Sequence, residues 1–585
     1  MKQLLALLLT TGLVAQSTDP ILRILTQEME RSRGLRIAGG SDIPYFFEYS
    51  IDDVRSYLLS TSLGGVIEEL RNRARVPQVR VRVGDYSFDN SNYVLSDANF
   101  TARYDSGLLP QDDNPLALRQ QLWLMTDRTF KSALESIGRK RSAMRSVNAP
   151  ADPVPDFWKA EAVKIMLGSS TQQLDEAAWK TRIVEASGRF KAFPTVLSSS
   201  VDMESIVNTS YLVNSEGTEA KYPDNIHYIR VRASGLAADG STVRDHVVFH
   251  AIDPLRLPGD TELKQAVDAV GRNVTALAAA PEGEAYAGPI MFEGAAGAQL
   301  FAEILASHLY LPRRPVANAG QSSRFTPSEL EGRLGSRILP ASFTVVDDPT
   351  QTEFRGQSLL GSYPIDGEGV VPKPLTVIEN GVFKAPLLSR QPIPGFTASN
   401  GRGRLPGSFG QRMATLSNLF VKSTESVTGG DLKKKLMEMV KQRSKPYGIL
   451  VRRMDYPSSA GADELRRLAV SLGNNAGGNV LSSPLLIYRI YPDGKEELIR
   501  GVRFRGLNLR SLKDITAAST ELYQFDFIGN RGPFALMSIG GYVFPASVVA
   551  PALLFEDLEL EHPQVEVPRP PTVPPPTLSS AAAAN

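Results

Sequence analysis

Gly288-Pro289-Ile290-Met291-Phe292-Glu293-Gly294-Ala295-Ala296-Gly297-Ala298-Gln299-Leu300 runs from an apolar entry into small residues and on to Leu309. Beyond the small residues, Leu300, Phe301, Ile304, Leu305 and Leu309 recur on one helical face. A strand feeding a tight helix start is a common place for chemistry, because backbone N–H groups converge there. Here the side chains for chemistry are missing. Glu293 is the only ionisable group between Gly288 and Leu300. Read from its type alone, Glu293 caps or solvates the helix start, where a carboxylate favours the dipole.

Composition sets the limits around this stretch. At 585 residues the chain is too long for one simple core, and two to three domains are expected. Its 42% hydrophobic and 22% charged residues are globular values. Lys+Arg 64 against Asp+Glu 63 leaves almost no net charge, which argues against a nucleic-acid or anionic-membrane partner. With no Cys there is no disulfide, thiolate zinc site or Cys nucleophile. Five His further restrict metal and acid–base sites.

Lys2 precedes the short apolar run Leu4 to Val14, followed by Ala15. This is the layout of a secretory signal peptide, with cleavage expected near Ala15 to Ser17. No later segment is apolar enough to span a bilayer, so a periplasmic or secreted protein is expected. An amphipathic helix is then predicted over Pro20–Arg31. Strands are predicted at Pro44–Ser50 and, half-buried by its strict alternation, at Val79–Val83. A long helix is read between Pro115 and Val147. Its basic cluster, Arg139-Lys140-Arg141, reads as a solvated helix end. A Pro/Asp/Ala linker follows at Ala149–Pro155.

The next unit holds a helix over Asp175–Phe190 and separate strands at Thr195–Ser200 and Ser210–Val213. A hairpin then joins Ile226–Arg232 to Val243–His250 through Asp239-Gly240. A helix is read over Glu262–Ala279. His246 and His250 share a strand face but lie about 13 Å apart, too far for one metal, and read as ordinary strand histidines. Further hairpins are read around Asn380-Gly381 and Asp493-Gly494, with a helix over Leu432–Gln442 and a strand over Gly448–Arg452. The Pro-rich stretch Pro563–Asn585 reads as a disordered tail or spacer.

Several short runs carry a family resemblance. They are Leu334-Gly335-Ser336-Arg337-Ile338-Leu339-Pro340, Phe343-Thr344-Val345-Val346-Asp347-Asp348-Pro349, Ile365-Asp366-Gly367-Glu368-Gly369-Val370 and Thr376-Val377-Ile378-Glu379-Asn380-Gly381-Val382-Phe383-Lys384. In this order and spacing, about Pro289 to Glu561, the chain resembles the TldD/TldE (PmbA) metallopeptidase family. The Leu-Gly-x-x-Ile-Leu-Pro run looks closer to the metal-free TldE-like subunit. In zinc-bearing members the helix carries His-Glu-x-x-x-His, and a later Cys is the third ligand. Laid on this chain, the first His falls on Glu293, the Glu on Gly294, the second His on Ala298 and the Cys near Ile528. A catalytic zinc needs three N, S or O protein ligands and a base for its water. The resemblance therefore implies a degenerate motif, with no catalytic residue and no cofactor unless substitute ligands hold zinc. Asn400, Gly401 and Arg402, in the loop Ser399–Arg404, match a family position near the active cleft. From the residues alone this loop reads as flexible, since no helix pattern follows Arg404.

The fold class expected is α+β. Its parts are a signal (1–17), an N-terminal α/β region (18–110), a long helix and linker (111–155), a middle antiparallel hairpin-plus-helix layer (156–286), a large β-rich TldD/PmbA-like C-terminal domain (287–561) and a Pro-rich tail (562–585). The expected function is an exported, non-catalytic subunit or pseudopeptidase. It would bind a peptide or pair as a homodimer, or as a heterodimer with a zinc-bearing TldD-like homologue, through the C-terminal domain. The alternatives are an active metallopeptidase acting through such a partner or substitute ligands, and a secreted binding protein unrelated to proteolysis.

Overall fold

Residues 44 to 83 alternate so that one set of side chains is apolar (Phe47, Tyr49, Ile51, Tyr57, Leu59) and the other largely polar (Glu48, Ser50, Asp52, Ser56, Ser60). In the computed structural model this period-2 pattern makes one long hairpin. Its apolar face carries the helices. The model describes residues 19–36, 42–94, 109–146, 154–169, 174–317, 325–406, 411–455, 481–529, 544–562 and 576. The expected signal and nearly all of the Pro-rich tail lie outside the described residues.

Helices and strands are numbered in chain order. The helices are α1 Pro20–Ser32, α2 Pro115–Ser146, α3 Glu176–Gly188, α4 Asp260–Ala279, α5 Ala295–Ile304 and α6 Gly429–Gln442. Seven strands form the first sheet: β1 Pro44–Ser62, β2 Gly65–Val83, β3 Lys164–Met166, β4 Ser198–Asn214, β5 Glu219–Pro223, β6 Ile226–Leu236 and β7 Thr242–Ala251. β2 is one edge. β4 sits next to β1 and also pairs with β6, and β7 closes that branch. Strands from both sides of α2 thus share one sheet. α1 and α2 cover Phe47, Tyr49, Val79, Val81 and Val83, while α3 and α4 cover Tyr57, Leu59, Met203, Ile229 and Val231.

The second half begins with β8 Tyr286–Phe292 and β9 Phe343–Asp347, then the small hairpin β10 Glu353–Phe354 and β11 Gln357–Ser358. Next come β12 Leu375–Glu379, β13 Val382–Phe383, β14 Gly403–Pro406, β15 Arg412–Ala414, β16 Asn418–Ser423, β17 Ser426–Val427 and β18 Gly448–Met454. The last are β19 Pro484–Ile490, β20 Glu496–Ile499, β21 Arg503–Arg505, β22 Ile515–Gly529 and β23 Phe544–Glu561. Twelve of these form one sheet along the path β13-β12-β9-β16-β23-β8-β18-β19-β20, with β17, β21 and β22 beside it. The architecture is α+β with a large β-rich C-terminal half.

Three expectations need correction. Val79–Val83 is buried on both faces, because Arg80 and Arg82 turn into the C-terminal half. There Arg80 reaches Glu368 at 3.3 Å and Arg82 donates to Gln411 Oε1 at 3.4 Å, while Arg82 also pairs with the nearby Asp89 at 2.6 Å. Thr195–Ser200 and Ser210–Val213 belong largely to one strand, β4. Its polar middle is satisfied by β6 and β1: Asp202 pairs with Arg232 and accepts from Ser60 at 2.6 Å, and Glu204 accepts from the Tyr228 hydroxyl. Lys140 is not solvated. Its ammonium donates to the Asp89 carbonyl at 2.9 Å and the Ser91 carbonyl at 2.7 Å, and it meets Asp156 at 2.5 Å, while Arg139 and Arg141 stay exposed.

Candidate functional site

β8 and β18 run parallel, and their carboxyl ends meet the start of α5. Ligand sites favour the carboxyl ends of parallel strands because helix starts and loops converge there. A cleft of about 650 Å³ opens at this point between the two sheets. Its walls are His246 to His250 on β7, Ala295, Ala296 and Gln299 on α5, Gly356 to Ser358, Arg452 to Met454 on β18, and Gln524 to Asp526 on β22.

α5 reaches this position because its residues are small. A Cβ on Gly297 would sit 2.4 Å from the Pro551 carbonyl oxygen of β23. Gly294 precedes the helix at φ 61°, a backbone conformation that favours glycine, and gives the helix no side-chain cap.

The arginines of β18 in the cleft are paired. The Arg452 guanidinium meets Glu293 at 2.5 Å and Glu496 at 2.8 Å, and stacks over Tyr488. Burial opposes its positive charge, but the Glu293 and Glu496 carboxylates outweigh that and raise its pKa. Arg453 donates to both oxygens of Asp245 at 2.8 Å and to the His246 carbonyl at 3.0 Å. Burial first, and then neighbouring arginines, push both His246 and His250 down to about 3, so neither ring is charged near neutrality. Burial pushes Asp526 up to about 6, against hydrogen bonds from Ser547 Oγ at 2.5 Å and Gln524 Nε2 at 2.9 Å. Behind the wall, burial pushes Glu303 up to about 7, where Gln299 Nε2 donates to it at 2.7 Å.

The structure separates the residues matched to the zinc motif. Glu293 is held by Arg452. Ala298 is fully buried and faces the core of the C-terminal half, not the cleft. Ile528 packs against Val54, Ile206, Ile226, Tyr228 and Leu360, and the same strand instead presents Gln524 to Asp526 to the cleft. The residues therefore do not fit a zinc ion. Gly294 and Ala298 have no donor, Glu293 is committed to Arg452, and no three His, Asp or Glu side chains converge among the described residues.

The loop of Asn400, Gly401 and Arg402 does not line the cleft and is locked by its contacts. Arg402 is buried, with Nε 2.9 Å from Asp347 and Nη2 donating to the Lys373 carbonyl at 2.7 Å. Asn400 Oδ1 accepts from the Leu388 N–H at 2.8 Å, and Nδ2 donates to the Pro386 carbonyl at 2.9 Å. Gly401 has φ 76°, and a Cβ there would meet Pro372 at 2.8 Å. The Ile365–Val370 run is structural too. The Asp366 carboxylate accepts from the N–H groups of Glu368, Val370 and Gly403 at 2.9 Å each. Sequence reasoning passed over β7 as a wall, the Arg452-Arg453 pair and Asp526. The arginine doublet ending an apolar strand was the one local signal. The others depend on how the two sheets face.

Residues 286–463 match the family model of the PmbA/TldA metallopeptidase C-terminal domain. This stretch is thus a C-terminal domain of the PmbA/TldD type. The chain is 38% identical over 77 residues to a metalloprotease of Archaeoglobus fulgidus and 35% identical over 96 residues to one of Methanocaldococcus jannaschii. Those stretches are 13% and 16% of this chain and span only 17% and 20% of the relatives' lengths. The fold is similar to a putative modulator of a DNA gyrase from Thermotoga maritima, with TM-score 0.57 and 14% identity. It is also similar to TldE from Thermococcus kodakarensis, with TM-score 0.55 and 14% identity. Each comparison covers 92% of this chain and 100% of the other.

Proposed function

We propose that this chain is a non-catalytic TldD/TldE-type subunit that holds an extended peptide in the cleft. One observation carries the reading: two sheet edges face the same space. Among the described residues β7 pairs only with β6, and beyond Ser519 β22 pairs only with β23. Five consecutive residues of β7 line the cleft, so its backbone edge faces the space, over about 13 Å. The His246 carbonyl already accepts from Arg453 across that edge. The backbone groups of Val248 and His250 point the same way, because alternate residues share a side. Strand addition needs only backbone groups and side pockets, so it survives the loss of zinc ligands. A zinc-bearing homologue would supply any peptide cleavage, and Lys2 with its apolar run supports export of the chain.

The test is a titration of labelled extended peptides by fluorescence anisotropy, with a Val248→Pro variant. Proline there removes an N–H that faces the cleft and not β6, so the sheet keeps its ladder. Binding should weaken roughly tenfold with thermal stability retained. Peptides that bind equally well when N-methylated at alternate amides would refute strand addition. N-terminal sequencing of exported material should find a start near Gln16 to Thr18, and an intact Met1 would refute export.

A further inference from the structure

In the C-terminal sheet the outer strands β13 and β20 are two and four residues long, and the open edge of β22 faces the cleft. The long open edge lies elsewhere, on β2. Its first nine residues, Gly65–Arg73, are exposed or nearly so, and Val66, Ile67 and Leu70 stand 44%, 66% and 52% exposed. Farther along, the same edge is in use. The Arg75 carbonyl accepts from the Leu109 N–H at 3.0 Å, and the Arg73 carbonyl from Gln111 Nε2 at 2.7 Å. These contacts fix the parity: the backbone groups of Arg71 and Glu69 also point outward. Among the described residues no strand pairs with that part of the edge. An unpaired edge of this length is a template for another strand.

We infer that a second copy of this chain pairs here, β2 against β2, antiparallel and centred on Leu70. The charges select this register. A two-fold axis through a continuous sheet sets residue c−k opposite residue c+k. Centred on Leu70, Glu69 of each copy faces Arg71 of the other, so the Glu69–Arg71 pair that each chain already makes at 2.8 Å, with Lys180 and Glu176 beside it, meets its equivalent with charges alternating, and Leu70 covers its own equivalent. Glu68 then faces Asn72. Centring on Glu69 sets two carboxylates together, and centring on Arg71 sets two guanidinium groups together, both destabilising across strands. Glu69 and Arg71 exchange backbone hydrogen bonds in this arrangement. Leu70 sits at a non-hydrogen-bonded position, where opposed Cα atoms approach to about 4.5 Å. The surface is separate from the cleft, so peptide binding and pairing are tested independently.

The chain has no cysteine, so a single introduced thiol reports one position. Leu70→Cys should form a disulfide-linked dimer under mild oxidation, because about 4.5 Å lies within disulfide reach. Glu68→Cys should not, because its equivalent is four residues out of register. Glu69→Arg alone and Arg71→Glu alone each place like charges opposite, and each should weaken self-association roughly tenfold or more by sedimentation. Mixed in equal amounts, the two variants should associate again, since every opposed pair then has opposite signs. Rescue on mixing cannot come from misfolded chains. A wild-type monomer at tens of micromolar overturns the inference. So does a dimer that Leu70→Cys fails to cross-link and the charge variants leave unchanged.

Discussion

Replacing Asp526 by Asn tests whether the cleft floor was built around a buried acid. Its carboxyl is pushed from 3.8 to about 6 by burial, while Ser547 and Gln524 hydrogen bonds oppose the shift. The folded-state pKa is raised, so the stability linked to this group is fully present below pH 3.8. It is lost as pH rises through about 6. Two pKa units correspond to about 3 kcal/mol. Asp526 keeps an opening to the cleft, and solvent there reduces the figure to about 1–2 kcal/mol. Asn has nearly the same shape and no charge to desolvate. Its Oδ1 still accepts from Ser547 Oγ and Gln524 Nε2. Asp526→Asn should therefore stabilise the protein by about 1–2 kcal/mol at pH 8 and scarcely at all at pH 4. Urea unfolding of both proteins across that range gives the difference directly, because every other titrating group cancels. A constant difference at all pH values, of either sign, would show that burial of the charge is not what tunes this position.

Gly297→Ala gains about 1 kcal/mol of helix propensity but drives a Cβ into the Pro551 carbonyl, so a net loss of about 1–3 kcal/mol is expected in thermal melts. A stabilised variant would mean that α5 is free to lift from β23. His246 and His250 have folded pKa values depressed to about 3 from 6.5, so their contribution is present above pH 6.5 and lost as pH falls toward 3. His250→Gln should accordingly flatten the acid limb of the melting temperature, and an unchanged limb would remove His250 from it. Elemental analysis after gentle purification should find no stoichiometric zinc, since the motif positions hold no donor set. About one zinc per chain, lost on Glu293→Ala, would show that substitute ligands exist.

Local chemistry made some of this fold legible. Asn380-Gly381 turns a hairpin because both residues take positive φ, 48° and 76°. The N-caps Asp175 and Thr428 set the starts of α3 and α6 within the predicted spans or close to them. Long-range pairing stayed hidden. The polar middle of β4 reads as a break until Arg232 and Tyr228 are placed across from it. Lys140 reads as solvated because its partner Asp156 lies beyond a linker, and Arg402 reads as mobile because Asp347 lies 55 residues away.

The candidate site divides along the same line. At the positions that the resemblance matches to the zinc motif the reading goes residue by residue, because the side chains of Gly294 and Ala298 cannot bind metal in any fold. What remains in the cleft was not visible, because it is made from backbone edges and from arginines neutralised by carboxylates on distant strands. Arg453 is an example. Its partner Asp245 is on β7, so the pair joins the two sheets across the cleft and holds one wall to the other. None of these contacts uses a motif position except Glu293, which here binds Arg452. The cleft therefore keeps its shape without metal ligands at those positions, and a shaped cleft with open strand edges is all that the proposed peptide capture requires.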